Sequence, residues 1–182
     1  MTDQHGKEQP EVYKSLQSLS AMGGKPGPQE GRGDRGRERG ACPPGLSADY
    51  LRGGYFDKGH LRREIFVDWP EKELKPKLNA TKNSLRAFYT MLRMAKIQFE
   101  GQRTNPDKAQ EDAKNQLLKM RVGAEYQLTR KVISTNCHDF LVKNIDEVLQ
   151  NVGDAESFAK NFNAFVEHFQ AVIAYLPEKA GN

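Results

Sequence analysis

Lys82, Arg86, Arg93 and Lys96 recur at helical spacing, and no acidic residue stands between the first of them and the last. At about 100° per residue, Lys82, Arg86 and Arg93 fall within roughly 40° of one another, with Lys96 on their flank. Cations gathered on one helix face can track a sugar–phosphate backbone, which supplies affinity and little reading of base sequence. Lys119, Arg121, Arg130 and Lys131 follow further along and could extend the surface from a neighbouring helix. Solvated helices carry charge in any case. They usually mix the two signs to gain i,i+4 pairs, however, and this stretch does not.

Other chemistry finds little support. Cys137 and His138 are adjacent, so on a helix they point about 100° apart. A zinc site needs four ligands at recognisable spacing, and the sequence has no second cluster to supply them. His138 reads as a helix-start residue, Cys137 as half-buried, His168 as a rim residue and His60 as a loop residue. No glycine-rich phosphate loop, nucleophile elbow or carboxylate pair falls on a credible element. The pattern Gly31-Arg32-Gly33-Asp34-Arg35-Gly36 resembles a dinucleotide loop, but no strand leads into it and no helix follows. The chain therefore reads as a non-enzyme with no metal and no cofactor.

The elements that must position the cations are helices. The first long one is predicted from Lys82 to Glu100, capped by Thr81 or Asn79 and ended at Gly101, with Leu85, Phe88, Tyr89, Leu92, Ala95 and Phe99 inward. Asn105-Pro106 opens a second, running towards Lys131. Its apolar residues form two stripes, Ala113, Leu117, Met120, Ala124 and Leu128, and then Leu118, Val122 and Tyr126, which predicts neighbours on two sides. Tyr126, like Phe88 and Tyr89, is expected in the core at this spacing rather than on a base-stacking surface. A third helix starts at Asn136 with Asp139 and carries Phe140, Leu141, Ile145, Val148 and Leu149. The last begins after Asp154 and stops at Pro177; its stripe of Phe158, Phe162, Phe165, Phe169, Val172 and Leu176 demands a surface of other helices. Only short helical pieces fit between Leu61 and Leu78, around Pro70 and Pro76. No stretch alternates as a strand, so the fold class is all-α: a compact helical bundle of about five to six helices.

Composition sets the frame. The 182 residues carry a net charge of +4. From Thr81 to Lys131 there are eleven basic residues against five acidic ones, whereas from Val132 onward there are three against seven. A basic middle suits phosphates, and opposite ends suit head-to-tail contact between copies. Residues 1–45 read as a disordered tail: Gly23 to Gly45 holds eight glycines, four prolines and Arg32, Arg35, Arg37 and Arg39, with almost nothing to bury. Residues 46–182 form the helical domain. Two cysteines, Cys42 and Cys137, lie in dissimilar contexts, so a reducing cytoplasm is the simpler reading than a disulfide framework. Met1 to Pro10 is polar and does not read as a signal peptide. No apolar run approaches the ~20 residues that cross a bilayer, so no membrane partner is expected.

Leu85-Arg86-Ala87-Phe88-Tyr89 followed by Leu92 resembles the leucine–arginine–x–phenylalanine–tyrosine helix of the small subunit of type III-A CRISPR complexes, the Csm small-subunit family. Phe165 to Tyr175 is similar to that family's C-terminal helix, Leu118 to Val122 with Tyr126 to Arg130 to its central helix, and Tyr55-Phe56-Asp57 to its entry motif. The resemblance covers Tyr55 to Leu176, and the arginine–glycine tail departs from it. It implies a helical, non-catalytic subunit that stacks in several copies as the inner filament of a ribonucleoprotein in antiviral defence, beside the backbone subunits and with the large catalytic subunit. Its basic face would meet guide RNA and target RNA through phosphates, with Arg86 foremost, then Lys82 and Arg93, then Arg121 and Arg130. From the residues alone, a free-standing helical RNA-binding protein and a helical adaptor without an RNA role stay open.

Overall fold

The computed structural model describes residues 45–102, 104–150 and 152–177. All of them belong to the second of two units, Met1–Ala41 and Cys42–Asn182. The arginine–glycine stretch and Cys42 lie outside the described residues.

A hairpin opens the domain. Strand β1 (Phe56–Asp57) pairs antiparallel with β2 (His60–Leu61), Phe56 opposite Leu61 and Asp57 opposite His60. The connecting residues Lys58 and Gly59 sit at φ +48° and +81°, the positive pair whose twist matches two-residue hairpins. A glycine removes the steric cost at the second position. Strands of two residues are too short to show the alternation that would reveal them in the sequence, so the expectation of no strand is corrected here.

A 3-10 turn (Arg63–Ile65) and a π-helical stretch (Trp69–Leu74) lead into the short α1 (Lys75–Lys77). Four long helices follow: α2 (Lys82–Gly101), α3 (Pro106–Thr129), α4 (Thr135–Leu149) and α5 (Ala155–Tyr175). Each begins at a side-chain cap. Thr81 and Ser84 exchange a reciprocal capping box at 3.2 and 2.9 Å. Asn105 accepts from the Lys108 N–H at 3.2 Å, and Asp154 from the Glu156 N–H at 3.1 Å. The cap of α4 is Ser134, which accepts from the Cys137 N–H at 3.1 Å. Asn136, the expected start, is buried instead and donates to the Lys77 carbonyl at 2.9 Å, tying α4 to α1.

Helix α2 packs against α3 and α5, α4 packs against the same two, and α3 also touches α5. Helix α5 is the inner post: Phe158, Phe162, Phe165 and Phe169 are all fully buried. Phe165 and Phe169 stack at 5.9 Å, and Phe99 of α2 meets Phe158 and Phe162 edge-on at 5.9 and 5.6 Å. Among the described residues this is the all-α bundle of five helices that the periodicity predicts.

The entry segment is sewn into the bundle by a buried chain of hydrogen bonds. His168 Nδ1 lies 2.6 Å from the Ile65 carbonyl, so it carries the proton, and Nε2 accepts from the Tyr50 hydroxyl at 2.9 Å. Asn144 donates to the Tyr50 oxygen at 2.7 Å, and its own carbonyl accepts from the Tyr55 hydroxyl at 2.7 Å. His168 is thus a core residue, not the rim residue its position on α5 predicts. Burial holds its pKa down at about 4, with the Ile65 bond pulling the other way.

The second stripe of α3 is the other departure. Leu118, Val122 and Tyr126 are 40%, 63% and 45% exposed. Spacing of four predicts a shared face and says nothing of what covers it; among the described residues the stripe stays largely open to solvent. Helix α3 does have neighbours on two sides, α2 on one and α4 on the other, but this stripe faces neither, and Tyr126 is a surface residue.

Candidate nucleic-acid interface

Helix α2 turns Leu85, Phe88, Leu92 and Ala95 into the core, which leaves Arg86 and Arg93 exposed. The flank they occupy is set by Tyr89. Its ring packs edge-on against Phe169 of α5 at 5.6 Å, and its hydroxyl donates to Gln170 at 3.2 Å. Arg93, one turn on, lies 6.0 Å over that ring. Neither Arg86 nor Arg93 forms an ion pair among the described residues.

Lys82 is half-buried at the first position of α2, where its N–H donates to the Pro177 carbonyl at 3.0 Å. That bond fixes the start of the ridge to the end of α5. Lys96 lies 3.6 Å from Glu100, the acid just beyond the acid-free stretch. The ridge therefore runs along the α5 side of α2, with Arg86 and Arg93 its open cations.

The α3 cations do not continue it as one surface. Arg121 donates to Asp146 of α4 and so leans to the opposite side of α3 from α2. Gly123 marks the α2 side: a Cβ there would lie 3.7 Å from the Phe88 ring. Lys119 is exposed beside Leu118. Arg130 lies 5.4 Å over the Tyr126 ring, and Lys131 is exposed just past the helix at φ +58°. The structure thus divides the eight candidate cations into an α2 ridge, a group bordering the apolar stripe of α3, and Arg121 in a structural pair.

Cys137 is fully buried, and burial pushes its thiol up to about 12, outside the range of a working nucleophile. His138 bridges helices, with Nε2 2.8 Å from Glu125 and Nδ1 3.1 Å from Asp139. Partial burial opposes its charged form, but the two carboxylates outweigh it and raise the pKa. Among the described residues no three of His, Cys, Asp and Glu gather into a metal-holding group, and no helix is long and apolar enough to cross a membrane.

What the sequence reading passed over is the hairpin. Its turn cue is the Lys58-Gly59 pair between Asp57 and His60, and it brings Lys58, His60 and Arg63 around one cleft.

The sequence model of the family described as Csm2 Type III-A matches residues 69–179. No curated protein and no solved structure matches the chain. The matched span takes in all four long helices, the arginine ridge and the phenylalanine post. The chain belongs to the Csm2 Type III-A family, the small subunit of the type III-A CRISPR complex.

Proposed function

We propose that the chain serves its complex as a non-catalytic RNA-holding subunit, gripping the phosphates of guide and target RNA on the open ridge of α2. The observation that carries this reading is the exposure of Arg86 and Arg93, without ion-pair partners among the described residues, on a helix with no acid before Glu100. A rigid row of unneutralised guanidinium groups is suited to a regular backbone and indifferent to its bases. Lys82 stands on the same ridge, while Lys119, Arg130 and Lys131 offer phosphate contacts on α3. Arg121 contributes less, since it must first leave Asp146.

Several copies stack as the inner filament in this reading, and contact the backbone and large subunits. The support is the bare stripe of Leu118, Val122 and Tyr126, apolar enough to want cover and bordered by Lys119 and Arg130. The same stripe would serve a helical adaptor that never touches RNA, and one experiment separates the two readings. With Arg86→Glu and Arg93→Glu together, RNA affinity should fall and the slope of log K on log salt should drop by about 2, helicity being unchanged. A parent chain that binds no RNA, and whose partner binding ignores both salt and the double change, would leave the adaptor.

A further inference from the structure

The hairpin and the 3-10 turn border an open cleft of about 530 Å³, within the range of about 300–1,000 Å³ that small-molecule sites occupy. All of its lining residues lie before residue 69, outside the family match. The cross-strand pair Phe56 and Leu61 lines it, and both also pack on the core. Lys58, His60 and Arg63 line it too, all exposed and none ion-paired among the described residues.

The wall is braced. The Arg62 guanidinium lies 4.9 Å over the Trp69 ring and donates to the carbonyls of Arg52 at 2.7 Å and Gly54 at 3.4 Å. Its charge is met by Glu64 at 3.6 Å. Arg62 and Glu64 thus cancel as a structural pair, which leaves Lys58 and Arg63 against Asp57. Tyr55, next to Phe56 in the chain, is locked to Asn144 in the core. The turn at Lys58 and Gly59 needs no loop longer than two residues, so the cations sit on a preformed frame.

An aromatic and aliphatic wall beside surplus cations is the combination with which proteins hold unpaired nucleotides: a ring for the base and charge for the phosphate. We propose that this cleft binds one nucleotide of a single RNA strand, base against Phe56 and Leu61, phosphate towards Lys58 and Arg63. The proposal rests on the reading that the chain works on RNA, but it uses no residue of the α2 ridge.

The test is two-dimensional NMR of the ¹⁵N-labelled full chain titrated with uridine and adenosine monophosphates, inorganic phosphate, and a short unstructured RNA strand. The nucleotides should shift the Lys58, Gly59 and His60 amides saturably, phosphate alone should not, and the strand should bind about tenfold or more tighter than a mononucleotide. Lys58→Glu with Arg63→Glu should abolish the nucleotide shifts without changing helicity. Absent shifts, equal shifts from phosphate, or an unaffected double variant would overturn the cleft. A mononucleotide that binds as tightly as the strand would overturn the assignment to RNA in favour of a free nucleotide. If the cleft variant loses the strand while Arg86→Glu with Arg93→Glu keeps it, the ridge reading fails and the cleft stands; the reverse pattern removes the cleft alone.

Discussion

Arg121 of α3 donates to the carboxylate of Asp146 on α4, and both side chains remain about two-fifths exposed. A pair this wet contributes little to stability, on the order of 0.5 kcal/mol, but it fixes where one of the candidate RNA cations points.

Arg121→Glu should therefore lower stability by about 1 kcal/mol through like-charge repulsion, and Asp146→Arg in the same chain should restore it. Arg86→Glu, on an open face, should stay within about 0.5 kcal/mol of the parent. Urea titration of the three variants reads this directly; equal losses at both positions would mean that Arg86 also carries a structural contact.

Phe165→Ala and Phe169→Ala remove fully buried rings from the inner post. Each should cost about 3–5 kcal/mol, enough to unfold much of a marginal domain. A midpoint shift worth under 1 kcal/mol would mean that α5 faces a partner rather than its own bundle.

The two histidines pull stability in opposite directions with pH. His168 has its folded pKa held at about 4, below the ordinary 6.5. Its contribution is complete above pH ~6.5 and drains as the pH falls towards 4, about 3 kcal/mol in all. His138 is raised, so its contribution is present in acid and is lost as the pH climbs through its folded value. Urea midpoints measured between pH 7 and 5 should fall, fall less steeply in His168→Gln, and fall more steeply in His138→Gln. A His168→Gln profile parallel to the parent would contradict the neutral, buried assignment.

Val122→Lys changes the most exposed member of the α3 stripe. The isolated chain should keep its stability within about 0.5 kcal/mol, while incorporation into a reconstituted complex should drop, as read by light scattering of the assembled particle. Normal assembly would show that the stripe is idle surface.

Much of the fold is legible in the sequence because its helices announce themselves locally. Thr81, Asn105 and Asp154 cap where their residue types say they should, and Phe158 to Phe169 repeat on one face. The readings that failed depend on distant partners. Spacing of four puts Tyr126 in line with Leu118 and Val122, but only the packed bundle reveals that they stay largely exposed. His168 looks like a rim residue until Tyr50 and Ile65 are brought to it from the far end of the domain. Asn136 is a good cap by type, yet Ser134 takes the role and Asn136 serves Lys77 instead. In the candidate site, the α2 ridge follows from periodicity alone, whereas the pairing of Arg121 and the hairpin cleft need coordinates.

The long reach of the buried hydrogen-bond chain has a consequence for how the protein is made. Tyr50 and His168 are 118 residues apart, and a ribosome adding about 5–20 residues per second separates their emergence by on the order of ten seconds. Through that interval Tyr50, Tyr55 and Trp69 have no α5 to close upon, and the nascent entry segment must wait in water. A fragment that stops short of His168 lacks the partner of Tyr50 and leaves the entry segment without its closing contact.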